Sequence, residues 1–119
     1  MMTDVKELAK QAHNAWDTKN EASMRALLHD DYHFKGPTQE LKGSDACIDC
    51  MMNFPFEGRN ENVQMISEGN KVVCISDWVV TSPFSQTIPM VMVMEFQEGK
   101  LKNENLFFDT AKFPAAMAA

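Results

Sequence analysis

Basic residues, cysteines, glycines and long apolar runs are all scarce in this chain, and each scarcity removes a class of function. Only 11 Lys and Arg stand against 17 Asp and Glu, a formal net charge of -6. Such a surface repels phosphate backbones and anionic bilayers, so neither nucleic acid nor membrane is an expected partner. No stretch approaches the about 18 apolar residues of a membrane span. The start, Met1 to Glu7, lacks the cationic and apolar segments of a signal peptide, and the expected location is cytoplasmic. The 3 cysteines are odd in number. Cys47 and Cys50 lie three apart on a predicted helix, where Cβ atoms are about 5–6 Å apart, against about 3.8 Å in a disulfide. Free thiols in a reducing compartment follow. The 5 glycines are scattered, so there is no phosphate-cradling loop, no nucleophile elbow and no zinc pattern, and neither cofactor nor metal is expected.

What is present is enough apolar material for a core: 45% of 119 residues are hydrophobic, sufficient for one domain over 1–119. Three consecutive runs dominate, Val72–Thr81, Phe84–Gln97 and Leu101–Thr110. They are rich in β-branched, aromatic and Met residues and are separated by Thr81-Ser82-Pro83 and Glu98-Gly99-Lys100, which predicts an antiparallel meander. Upstream, Val5, Leu8, Ala9, Ala12, Ala15 and Trp16 recur at helical spacing behind a capping Asp4, predicting a helix over about 4–18. A shorter helix carries Ala22, Met24, Leu27 and Leu28. From Asp31 to Lys35 the period becomes two, a first strand, followed by a short arm over Thr38–Lys42. Gly43-Ser44-Asp45 opens a third helix that Pro55 stops, Glu57–Asn62 reads as a polar loop, and Val63 begins another strand. Helices segregated from a mainly antiparallel sheet make this an α+β fold.

The chain resembles the NTF2-like superfamily, the α+β cone shared by ketosteroid isomerases, SnoaL-type polyketide cyclases and limonene epoxide hydrolase. Four segments carry the resemblance: Ala15-Trp16-Asp17-Thr18-Lys19-Asn20, Leu27-Leu28-His29-Asp30-Asp31-Tyr32, Gly43-Ser44-Asp45-Ala46 and Asn105-Leu106-Phe107-Phe108-Asp109. It implies three N-terminal helices packed on a curved, mixed, mainly antiparallel sheet. It also implies which mechanisms are missing. The general base, oxyanion tyrosine and protonated aspartate of the ketosteroid isomerases fall on Gly36, Ala12 and Met92, and the water-activating aspartate of limonene epoxide hydrolase falls near Leu106.

The same resemblance implies that Val73, Ile75, Asp77 and Val79 look into the cone, with Ile88, Met90, Met92, Met94 and Phe96 on the next strand and Glu104, Leu106 and Phe108 on the last. Trp16, Tyr32, Phe34, Met51 and Phe54 complete the expected pocket. Its carboxylates are Asp77 and Glu104, candidates for acid–base work because desolvation raises a carboxyl pKa toward neutrality. Two placements stay open for each, in the pocket or in solvent and salt bridges, since a one-residue slip turns a strand over. Tyr32 is either a hydrogen-bond donor to a ligand or a core ring. His13 reads as a surface residue, and His29, Asp31 and His33, spread over about 13 Å of strand, are too far apart to share an ion. The outer face of the meander, with Val72, Cys74, Trp78, Val80, Val91 and Val93, predicts a sheet-to-sheet homodimer. The expected function is binding of a small apolar ligand, with cofactor-free isomerisation, cyclisation or dehydration as its chemistry. A protein-interaction module without catalysis is the alternative.

Overall fold

The structure is a computed structural model in which residues 4–112 are described. Helix α1 spans Val5–Asp17. Asp4 caps it by accepting from the Lys6 amide at 2.9 Å, satisfying one of the orphan donors of a helix start. Its buried stripe is Leu8, Ala9, Ala12 and Ala15. Small side chains there let the helix lie close to the sheet. After Lys19 in the left-handed region (φ 54), Asn20 caps α2, Glu21–Leu27, which buries Met24 and Leu27.

Strand β1 runs Leu28–Lys35, three residues earlier than the alternation at Asp31 predicts, because buried Leu28 joins the sheet directly opposite Leu101. The short edge strand β2 is Glu40–Lys42. Helix α3, Ser44–Met52, follows Gly43, whose φ of 91 suits a residue without a Cβ. Four long strands then follow: β3 Glu57–Glu68, β4 Lys71–Ser82, β5 Gln86–Gln97 and β6 Lys100–Phe108. A single 3-10 turn, Thr110–Lys112, closes the described chain. Asp109 holds it by accepting from the Ala111 amide at 2.9 Å.

Among the described residues the six strands form one mixed sheet in the order β2-β1-β6-β5-β4-β3. Every pairing is antiparallel except β1 with β6. The expected α+β architecture, three helices over a curved, unclosed, mainly antiparallel sheet, is therefore present.

Two expectations require correction. The polar stretch Glu57–Asn62 is not a loop but the first half of β3, paired with β4 from Glu57↔Ser82 onward. An edge strand with one side in water tolerates such polarity, and Gly58 makes the close approach possible: a Cβ there would sit 2.6 Å from the Val79 carbonyl oxygen. The face of β4 is also inverted. Val72, Cys74, Ser76, Trp78 and Val80 are buried on the inner face, whereas Val73, Ile75, Asp77 and Val79 lie on the outer face. Both faces of this strand carry branched apolar residues, so period-two alternation has no contrast to read. β5 and β6 keep the predicted orientation, with Ile88, Met94, Phe96 and Glu104 buried.

Candidate functional site

Between the helices and the concave side of the sheet lies a cavity of about 490 Å³. The central strand β5 supplies Met90, Met92 and Met94, flanked by Cys74, Ser76 and Trp78 on β4 and by Glu104, Leu106 and Phe108 on β6. Trp16 closes it from α1, Phe34 from β1, and Phe54 from the segment after α3. Aromatic rings interlock along one wall. Trp16 meets Phe54 edge-on with centroids 5.3 Å apart, and Phe54 meets Phe56 at 5.2 Å, favourable quadrupole geometry. The Lys19 ammonium lies 5.1 Å from the Phe54 ring centroid, covering that ring from outside the cavity.

Of the predicted pocket residues, Trp16, Tyr32, Phe34, Phe54, Met90, Met92, Met94, Glu104, Leu106 and Phe108 border this cavity. Ile75, Val79 and Asp77 do not, because β4 presents its other face. The Asp77 carboxylate accepts a hydrogen bond from the Asn62 amide at 3.0 Å on the outer side. Met51 is fully buried but packs in the helix–sheet core rather than on the cavity wall. Gly36, Ala12 and Met92, where ketosteroid isomerases would place their catalytic groups, all border the cavity and carry no ionisable atom.

The chemistry of the site is concentrated in one pair. The Tyr32 hydroxyl donates to Glu104 Oε1 at 2.5 Å in a buried setting. The two are brought together by the parallel pairing of β1 with β6, which sets Phe34 opposite Glu104 and Tyr32 one pleat away on the same face. Glu104 is 9% exposed, and burial raises its carboxyl from 4.5 to about 7, against the opposing pull of the Tyr32 hydrogen bond. Loss of water disfavours the charged form, while a donated hydrogen bond favours it. Tyr32 itself is held well above the ordinary phenol range, first by burial and then by the neighbouring Glu104 charge. The phenol therefore stays protonated and acts as a fixed donor, leaving Glu104 as the group that exchanges a proton near neutrality.

The thiols on this side are inert. Burial and Glu104 push Cys47 up to about 12 and Cys74 up to about 11, far from thiolate character at neutral pH.

A second polar station was not visible in the sequence. The Ser76 hydroxyl donates to Asn60 Oδ1 at 3.2 Å, and Asp17 lies near the Asn60 side chain. His13, read as a surface residue, is in fact half-buried beside them. Burial lowers its pKa more than Asp17 raises it, and its Nε2 is buried without a partner among the described residues. The usable signal was helical spacing: His13 stands four residues after Ala9 and three before Trp16, on the buried stripe. The other histidines are engaged elsewhere. His29 Nδ1 accepts from the Asp31 amide at 3.0 Å, and His33 Nε2 contacts Glu40 Oε2 at 2.5 Å. Among the described residues no cluster of three or more His, Cys, Asp or Glu is arranged for a metal, and no helix is long and apolar enough to cross a membrane.

Residues 9–104 match the sequence pattern of the SnoaL-like domain. The chain belongs to the SnoaL-like domain family. Solved structures of the same fold include an NTF2-like protein of unknown function from Cytophaga hutchinsonii (TM-score 0.79, 22% identity, covering 93% of this chain and 95% of that one). A proposed polyketide cyclase from Pseudomonas putida is similar (0.79, 14%, 93% and 96%), as is an LEH-like epoxide hydrolase from M. tuberculosis (0.80, 14%, 91% and 84%). No curated protein matches the chain. At these identities the likeness carries the fold of this SnoaL-like protein, and its chemistry has to be argued from its own residues.

Proposed function

We propose that this SnoaL-like protein binds a small, neutral, largely apolar molecule in the cavity and transfers a proton to or from it through Glu104. The carrying observation is the buried Tyr32–Glu104 pair in a wall of Met and aromatic carbon. Among the described residues no Lys or Arg borders the cavity, so an anionic ligand would meet Glu104 without a fixed cation to neutralise it. Flexible thioethers at Met90, Met92 and Met94 suit an irregular apolar surface. With its proton affinity near neutral, Glu104 can both take a proton from carbon or oxygen and return it, while the Tyr32 hydroxyl fixes the carboxyl orientation. Isomerisation, cyclisation and dehydration all need such a group and no cofactor. An open cavity with a carboxyl on its wall favours this reading over a protein-interaction module.

Two measurements test it. Titration with para-phenylphenol should quench the fluorescence of Trp16 and Trp78 saturably in the parent protein, and the bulky Met92→Trp should abolish that binding. Hydrogen–deuterium exchange at the α-carbon of β-tetralone, followed by NMR, should run above buffer and fall about 10²-fold or more in Glu104→Gln. Absence of phenylphenol binding overturns the pocket. Exchange that is equal in parent and variant overturns proton transfer alone.

The outer sheet face supports a homodimer that keeps Val91 and Val93 from the set the sequence indicated and replaces its β4 residues, which are buried on the inner face. The register aligns Ile75, Val91 and Phe107 in one row and Ile66, Val73 and Val93 in the next. Phe107 is 57% and Ile66 59% exposed, a contiguous apolar band of the kind two copies cover. Light scattering should give twice the chain mass for the parent and the single-chain mass for Val91→Lys. A monomeric parent overturns the dimer.

A further inference from the structure

We infer that the cavity selects a molecule with two polar ends, one on the Tyr32–Glu104 pair and the other a hydroxyl held at the station formed by Ser76, Asn60 and His13. This inference rests on the pocket reading above and adds to it the shape and chemistry of the occupant. Ser76 is 7% exposed, and its one proton is committed to Asn60 Oδ1. Asn60 Oδ1 accepts that hydrogen bond, and Asp17 lies near the Asn60 side chain. What Ser76 has left is lone pairs facing the cavity, so the station offers an acceptor to an incoming O–H.

The His13 Nε2, buried on the same wall and lacking a partner among the described residues, gives an independent reason to place a ligand oxygen there. A buried ring nitrogen without a hydrogen-bond partner is unfavourable, and rotation of the imidazole toward an oxygen at Ser76 would give it one. A hydroxyl both donates and accepts, so it can give its proton to Ser76 and accept from the Nε2–H tautomer of His13 at once. A ketone or ether leaves the Ser76 lone pairs unused.

The sheet register sets the span. Ser76 pairs with Met90, and Met90 with Phe108, two strand spacings away or roughly 10 Å. Glu104 lies four residues along β6 from Phe108, roughly 13 Å at strand rise. The backbone positions of the two stations are thus roughly 16 Å apart, with Met90 and Met92 between them, and the inward side chains shorten the gap that a ligand must bridge. The occupant is then an elongated apolar body with a polar atom at each end.

A matched probe pair separates this inference from the pocket reading. Para-phenylphenol carries one hydroxyl and para,para′-biphenol carries two on the same rigid apolar body, and both are neutral in neutral buffer. Tryptophan quenching should show the diol binding about tenfold tighter than the monool to the parent protein, the gain expected from one added buried hydrogen bond. Ser76→Ala should bring the diol to within about threefold of the monool, and the near-isosteric Ser76→Cys should do the same should the alanine variant fail to fold. Equal binding of the two probes to the parent, or a tenfold preference that survives either substitution, overturns the second station while the pocket stands. Binding of neither probe overturns both.

Discussion

Replacing Glu104 by Gln should make the protein more stable at alkaline pH while leaving its stability in mild acid nearly unchanged. Burial lifts the Glu104 carboxyl from 4.5 when unfolded to about 7 when folded. Between those values the native state holds a proton that the unfolded chain has lost, so stability falls by about 1.4 kcal/mol per pH unit as pH rises, about 3 kcal/mol in all. The contribution is fully present below the unfolded value and gone once the pH passes the folded one. Gln is neutral throughout and keeps an oxygen for the Tyr32 hydroxyl. Urea unfolding followed by the fluorescence of Trp16 and Trp78, at steps from about pH 4 to about pH 8, reads the effect directly. Asp17, raised by burial, and His13, lowered by burial, also make stability pH-dependent, but they are common to both proteins and cancel in the difference. The variant's advantage should grow by about 3 kcal/mol across the range, roughly 10 °C in melting temperature for a domain of this size. A difference that stays flat with pH would refute the reasoning, because it would put the carboxyl in water in the folded protein.

Other substitutions probe the same geometry. Tyr32→Phe removes the hydrogen bond that favours the charged carboxylate, so the Glu104 midpoint should climb above about 7 in a carboxyl-carbon NMR titration. Gly58→Ala places a Cβ 2.6 Å from the Val79 carbonyl oxygen and 2.9 Å from Trp78 Nε1; urea unfolding should show a loss of about 1–3 kcal/mol as the edge strand is forced away. Asp77→Asn, on the outer face beside Asn62, should leave para-phenylphenol affinity within about twofold of the parent by fluorescence titration.

What the sequence made legible follows from where its signals have contrast. The helix stripe of Leu8, Ala9, Ala12 and Ala15 opposes apolar to polar residues at one period, the turns around Pro83 and Gly99 interrupt the apolar runs, and these elements lie where they were expected. On β5, Met90, Met92 and Met94 alternate with equally apolar Val91 and Val93, so its inward face followed from the resemblance to the fold rather than from contrast. The resemblance to the fold pointed Glu104, Leu106 and Phe108 of β6 inward, and their alternation with Asn103 and Asn105 agrees with it. β4 offered no such contrast: Val72-Val73 and Val79-Val80 put branched carbon on both faces, so Asp77 was placed in the pocket and Trp78 outside it, the reverse of the structure. β3 was obscured by edge polarity. Its pairing depends on Gly58, whose significance is the absence of a side chain, and that is visible only against Val79 and Trp78. Met51 fell in the core rather than on the cavity wall because a helix face cannot distinguish the two from spacing alone. His13 and Ser76 gain their roles from elements far apart in sequence, α1, β3 and β4, which no local pattern connects.

The central claim is that Glu104 is a buried, near-neutral proton carrier on the wall of a ligand cavity. Carboxyl-carbon NMR of selectively labelled protein, titrated with and without saturating para-phenylphenol, measures it at the atom concerned. The Glu104 resonance should titrate near 7 in the empty protein and shift its midpoint when the probe is bound. A midpoint near 4.5 that the probe leaves unmoved would contradict the claim.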